Sequence, residues 1–266
     1  MVVMKGGCEI RTVDRWFELA SPKKGRDHWV DGRSALECAR AWCAGAEGPA
    51  VPTELTALLA SHPDTSGAVI SSVTPEHQIR FDQLRGEPRN ADVVALADHP
   101  SGLIAISIEA KADEPFDLQV HDVLLGFIKK ISRDQRTNGV ARVQQLASSL
   151  LPDPMPGTSP LGDLRYQLLT GVAGALAFAA TSNASRAVFV VHEFVTNRTD
   201  DVRHRANADD LNAFVARLTA GTVSTLSPGE LMGPYQIPGS PLFDGAPALY
   251  LGKAVRNLRT GSHTDP

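Results

Sequence analysis

Cysteine is scarce in this sequence: Cys8, Cys38 and Cys43 are the only three in 266 residues. Their odd number and the absence of CxxC spacing indicate neither a disulfide framework nor a zinc site. Cys38 and Cys43 are expected to pack as small hydrophobes in a reducing cytoplasm. A long apolar run is missing too. The most apolar segment, Gly171 to Ala180, is about half the ~20 residues that a membrane span requires. The N-terminal Met-Val-Val-Met-Lys-Gly-Gly has no sustained apolar stretch and is not a signal peptide. A soluble cytoplasmic protein without membrane contact is expected. Nor is there an excess of charge of one sign: the net charge of −4 gives no global attraction to nucleic acid, although it leaves room for a local basic groove. A Walker loop, a GxGxxG element and internal repeats are all absent, so nucleotide-driven motion has no support.

What is present is an ordinary globular composition. With 42% apolar and 21% charged residues, the chain can bury a substantial core. One domain is expected over 1–258, with a helical elaboration at about 10–65, a core at about 75–255 and a disordered tail at 259–266.

The stretch from Arg89 to Phe116 carries the chemistry. Two short apolar runs flank Asp98-His-Pro-Ser-Gly102, which has the composition of a turn, so the stretch reads as a β-hairpin. Alternation puts Ile104, Ile106 and Ile108 on one face and Ala105, Ser107, Glu109 and Lys111 on the other. Hairpin pairing brings Asp92 toward Glu109. Two carboxylates and an ammonium at one sheet end suit metal-assisted phosphodiester hydrolysis. The carboxylates can hold a hard cation such as Mg²⁺ or Mn²⁺, and the lysine can orient water or stabilise the added negative charge. A solvated Glu/Lys pair on a strand face is the bland alternative, since ExK often arises by chance.

Asp92 followed, one hairpin later, by Glu109-Ala110-Lys111 resembles the D…(D/E)xK signature of the PD-(D/E)xK nuclease superfamily. Trp29-Val-Asp-Gly-Arg-Ser-Ala, Leu164-Arg-Tyr-Gln-Leu-Leu and Leu249-Tyr-Leu-Gly are similar to a bacterial branch of that superfamily whose function is unknown, and this likeness covers most of the chain. Ala91 stands where the family usually has proline. The resemblance implies an α/β fold with a restriction-endonuclease-like core, a mixed central sheet flanked by helices in the order αβββαβ. It also implies that Asp92 and Glu109 ligate the metal, that the Ala110 carbonyl is a third ligand and that Lys111 is catalytic.

The flanking sequence supplies further candidates. Val13, Trp16, Phe17 and Leu19 form a first apolar cluster, and Ser34-Ala-Leu-Glu37 fits a capping box ahead of a second helix. Between them Lys23, Lys24, Arg26 and Arg33 form either a solvated basic loop or a phosphate-contacting edge. Trp29 and Trp42 read as core or lid residues. Glu54, in the first turn of a helix opened by Pro52, is a candidate extra metal-site acid by position; a carboxylate favoured by the helix dipole explains it equally well. His77 to Asp82 alternates as the first core strand.

After Lys111 a helix is expected to open at Pro115 and to lay Phe116, Val120, Val123, Leu124, Phe127, Ile128 and Ile131 on the sheet. Lys129, Lys130, Arg133 and Arg136 at its end either complement the dipole or contact nucleic acid. An alanine- and glycine-rich helix over Leu164 to Thr181 permits close packing, and Gln167 near its start either positions a ligand or makes a surface contact. The run Arg186 to Val195 reads as a strand parallel to that of Glu109 through a right-handed crossover, which brings His192 and Glu193 near Lys111. His192 is then an accessory acid/base or phosphate contact, or a hydrogen-bonded strand-end histidine. Thr222 to Leu226 is expected as an edge strand and Ala248 to Gly252 as the last strand.

The functional expectation is a Mg²⁺- or Mn²⁺-dependent nuclease acting on nucleic acid, DNA before RNA; a homodimer would suit cutting both strands. The competing expectation is a non-catalytic binding or regulatory protein on the same scaffold, as in bacterial defence or conflict systems. A metal-dependent hydrolase of small phosphoesters is the third.

Overall fold

The computed structural model describes residues 1–46 and 48–259; apart from Arg259, the tail expected to be disordered lies outside them. Eight strands make one mixed sheet in the order β2-β1-β3-β4-β5-β6-β8-β7, and helices cover both faces. The architecture is α/β.

The N-terminal hairpin β1 (Val2–Lys5) and β2 (Cys8–Glu9) turns at Gly6 and Gly7, both at positive φ. Helices α1 (Val13–Leu19), α2 (Ser34–Trp42) and α3 (Thr53–Ala60) follow. Trp16, Trp42, Leu55, Leu58 and Leu59 of these helices bury against Val93, Ile104, Ile106 and Ile108 of the sheet, forming one half of the core.

The centre of the sheet is a meander of β3 (Val69–Ile79), β4 (Arg89–Asp98) and β5 (Ile104–Lys111), paired antiparallel. The first core strand is therefore Val69–Ile79 rather than His77–Asp82. The strand ends before Asp82 because that buried carboxylate turns to Arg142 Nε at 2.6 Å. All eight residues of β5 are buried, as a central strand between two helical layers requires.

Helices α4 (Val120–Ile131), α5 (Gly139–Leu150) and α6 (Tyr166–Thr181) lead into β6 (Arg186–Val195), which runs parallel to β5 as expected. Helix α7 (Asp201–Leu218), the edge strand β7 (Leu231–Tyr235) and β8 (Ala248–Asn257) complete the fold. Helix α6 covers the second sheet face, with Leu168, Leu169, Val172, Ala173, Ala175 and Leu176 fully buried.

Three further expectations change. The helix after Lys111 begins at Val120, not at Pro115, because residues 112–119 form a connection in which Asn207 donates to the Glu114 carbonyl and Asp117 has φ +57°. Of the predicted stripe, Phe116 and Val120 are buried in the core and Val123, Leu124 and Phe127 pack against it partly buried, whereas Ile128 and Ile131, like Leu125 beside them, stay about half exposed, because α6 already occupies the sheet face. The edge strand lies at Leu231–Tyr235, while Thr222–Leu226 is irregular: the Leu226 amide is taken by the Asn212 side chain instead of by a strand partner. Among the described residues no helix is long and apolar enough to cross a membrane.

Candidate functional site

The β4–β5 ladder stops at Val93↔Ile108. One step further along, the backbone amide of Ala110 donates to Asp92 Oδ2 at 2.7 Å, so a side chain takes over from the strand partner. That substitution fixes Asp92 beside the end of β5, where Glu109 and Lys111 emerge. Both are almost fully buried, at 2% and 7% exposure.

Glu109 is held from three directions. Arg89 Nη2 donates to its Oε2 at 2.6 Å, Gln167 Nε2 to its Oε1 at 2.6 Å, and Lys111 Nζ lies 2.9 Å from the same Oε1. Burial alone would raise the Glu109 carboxyl, but the Lys111 and Arg89 charges overturn that and keep it below its ordinary value. Burial likewise opposes the Lys111 charge, and Glu109 and Asp92 more than offset it, so its pKa is raised. Asp92 goes the other way: burial first, then the Glu109 charge, push its carboxyl well above the carboxylate range.

A third carboxylate stands across from Asp92. Glu76 lies between the register pairs Pro75↔Val93 and His77↔Ala91, at φ +48°, a conformation rare for a residue with a side chain. Lys5 Nζ fixes this kink by donating to the carbonyls of Pro75 at 3.0 Å and Glu76 at 2.6 Å. Burial pushes the Glu76 carboxyl up to about 7, helped by the Glu109 charge, against a hydrogen bond from Asn90.

These groups line one side of a cavity of about 440 Å³. Opposite them are Trp16, Trp29, Arg33 and Cys38, from α1, α2 and the loop that joins them. Burial raises the Cys38 thiol, so it offers no thiolate nucleophile here.

The structure thus brings Asp92, Glu109, Ala110, Lys111 and Gln167 together, and separates Glu54 and His192 from them. His192 pairs with Ala110 in register and points to the opposite sheet face from Glu109, where its Nε2 meets Glu54 Oε1 at 2.7 Å. Burial lowers the His192 pKa, against the hydrogen bond and charge of Glu54, which raise it. Arg256 Nε also donates to Glu54 Oε1, at 2.7 Å. Despite burial, the bonds from His192 and Arg256 take the Glu54 carboxyl down to about 2. The pair is thus an internal ion-pair network, not part of the cavity. Glu193, beside Lys111 in register, is engaged by His204 at 2.8 Å and Lys253 at 2.9 Å.

Among the basic groups, Arg33 reaches the cavity but pairs with Asp113, and Lys23 pairs with the exposed Glu87 at 3.1 Å. Arg165 turns away to Asp210 at 2.8 Å. The capping box is altered as well: Arg33 is the N-cap residue, Glu37 accepts from the Gly32 amide at 2.8 Å, and Ser34 bonds to Glu114. Sequence reasoning missed Arg89 and Glu76. Pro75 inside an apolar run was the available signal for the second, since proline in a strand marks an irregularity.

Among the described residues no group of three or more His, Cys, Asp or Glu side chains is arranged to hold a metal ion. Mg²⁺ does not require one, because it commonly binds through one or two carboxylates and keeps several waters. Asp92 and Glu109 supply two carboxylates at one cavity. Carboxylate oxygens are the donor type that a hard divalent cation takes.

Comparison with curated proteins and with solved structures finds no match. A family model described as Domain of unknown function (DUF6946) matches residues 9–247, a span that contains the whole cavity, and the chain belongs to that family.

Proposed function

We propose that this protein is a metal-dependent nuclease of the PD-(D/E)xK type that hydrolyses phosphodiester bonds, with DNA as the expected polymer. The observation that carries the reading is the meeting of Asp92, Glu109 and Lys111 at one cavity, at the point where the β4–β5 ladder ends. The order of α3, the β3–β4–β5 meander, α6 and the parallel β6 supports a restriction-endonuclease-like core.

Asp92 and Glu109 would hold Mg²⁺ or Mn²⁺, with the Ala110 carbonyl as the further ligand that the resemblance implies. The cation, when bound, supplies the charge that polarises a phosphoryl oxygen and acidifies water. Lys111 holds a fixed positive charge against the same site, suited to the extra charge of a pentavalent phosphorus. Arg89 and Gln167 fix the rotamer of Glu109, so little reorganisation is needed when phosphate arrives.

A second reading, a binding module that cuts nothing, is favoured by one observation: both Glu109 oxygens already have protein donors. Oε1 takes both Gln167 and Lys111, but Oε2 accepts from Arg89 alone and retains a second lone pair, which keeps the catalytic reading in front. The two separate on plasmid, linear and single-stranded DNA incubated with Mg²⁺ or Mn²⁺. Metal-dependent cleavage that disappears in Asp92→Ala and Lys111→Ala supports the nuclease; wild-type-like cleavage by either variant overturns the assignment. Calorimetric titration of Mn²⁺ into the wild type and the Asp92→Ala/Glu109→Ala double variant locates the ion independently of turnover.

A further inference from the structure

Resting on the nuclease reading, we propose that the cavity takes one unpaired nucleotide of a single strand and excludes duplex.

Of the groups that would meet the phosphate, Glu109 and Lys111 are not on a surface, and Asp92 is partly exposed. Glu109 and Lys111 are almost fully buried and line the cavity. At about 440 Å³ it falls in the lower part of the ~300–1,000 Å³ range of small-molecule sites. A duplex, whose major groove alone is about 12 Å wide, does not enter such a space. A phosphodiester reaches Asp92 and Lys111 only if its nucleotide is first unstacked and unpaired, at no cost for a strand already single.

The roof is built into the fold. Arg33 pairs with Asp113, and the amide and hydroxyl of Ser34 donate to Glu114 Oε1 at 3.3 and 3.2 Å. Gly32 lies so close to Thr196 and Arg198 that a Cβ there would stand 3.0 Å from the Thr196 hydroxyl. These contacts fasten residues 32–34 to the connection between β5 and α4 and to the segment that follows β6.

The wall chemistry matches the occupant. Trp29 is half-buried and packs on Phe17 at 5.1 Å between ring centroids, and the Arg26 guanidinium caps Phe17 at 4.7 Å. Trp29 lines the cavity, and a base can stack on such a surface whatever its sequence. A second cavity, of about 520 Å³, shares Glu76 with the first and is lined by Lys5, Lys23, Gln78 and Asn90. Glu87 lines it too, and the ammonium groups there are already engaged, Lys5 by the Pro75 and Glu76 carbonyls and Lys23 by Glu87.

The test uses the full chain with Mg²⁺ and three probes: a fluorescent unpaired oligodeoxythymidine, the same sequence closed into a single-stranded circle, and a covalently closed duplex dumbbell. Anisotropy and cleavage are read together. Both unpaired probes should bind and be cut about tenfold or more better than the dumbbell, and Trp29→Ala, checked by its melting curve, should lose most of that preference, as expected for one lost base stack. Equal binding and cleavage of the dumbbell overturns the inference and leaves the nuclease reading standing. Failure of all three probes to bind or be cut overturns the nuclease reading, and this inference with it.

Discussion

Arg89 reaches Glu109 through a slot in helix α6. Its Nη2 lies 2.6 Å from Glu109 Oε2, and both side chains are almost fully buried. The slot is made by Gly171 and Gly174: a Cβ on Gly174 would stand 2.8 Å from Arg89 Cδ. A helix glycine here serves a carboxylate on the neighbouring sheet.

Removing one member of a buried pair leaves an uncompensated charge, which costs about 3–5 kcal/mol. Arg89→Met should therefore destabilise the fold by roughly that amount in urea unfolding. Glu109→Gln should also destabilise, because the amide offers one acceptor oxygen where Arg89 and Gln167 each use a different one, and it leaves the Arg89 and Lys111 charges without their carboxylate. An Arg89→Met variant as stable as the wild type would show that the pair does not hold Glu109.

Gly174→Ala sets two effects against each other. Alanine favours a helix by about 1 kcal/mol, whereas forcing a methyl into a filled core costs about 1–3 kcal/mol. The buried Arg89 side chain has little room to retreat, so the variant is expected to be destabilised. Gly126 in α4 is the control, since a Cβ there would meet nothing within 4 Å; Gly126→Ala should gain up to about 1 kcal/mol. Denaturant midpoints of opposite sign check both.

Glu76 gives a pH dependence whose sign follows from its shift. Its folded carboxyl is raised to about 7, so the folded state binds the proton more tightly than the unfolded chain does. The resulting stability is full below the unfolded value, declines between the unfolded value and about 7, and is gone above it. The stability difference between wild type and Glu76→Gln should therefore fall steadily from pH ~5 to pH ~7. A flat difference would mean that Glu76 is ionised throughout.

What the sequence made readable follows from alternation. The period of two put Glu109 and Lys111 on one face, and the hairpin turn brought Asp92 to them. The same rule separates His192: Glu193 shares a sheet face with Lys111, so its neighbour His192 must share the other with Ala110. Proximity at a strand end was deducible, but the face required the register, which one residue's slip reverses. Arg89 was hidden because its partner is 20 positions away and the glycines that admit it lie on a distant helix. The outward stripe of α4 shows the converse limit: periodicity reveals an apolar face but not what covers it.

Glu54 supplies the discriminating control for the site itself. Its carboxyl is depressed to about 2 by His192 and Arg256 against the opposing effect of burial, so its stabilisation is present above the unfolded value and is lost as pH falls through that range. Glu54→Gln should lower stability near neutral pH, and its gap from wild type should narrow toward pH ~3. Because Glu54 and His192 lie on the sheet face opposite Glu109, Mg²⁺-dependent cleavage by the folded variant should stay near the wild-type rate, whereas Asp92→Ala loses it. Loss of cleavage in Glu54→Gln at a temperature where it remains folded would place the ion-pair network in the chemistry and overturn the division of the two faces. The two measurements, unfolding against pH and cleavage at fixed pH, separate a structural carboxylate from a functional one.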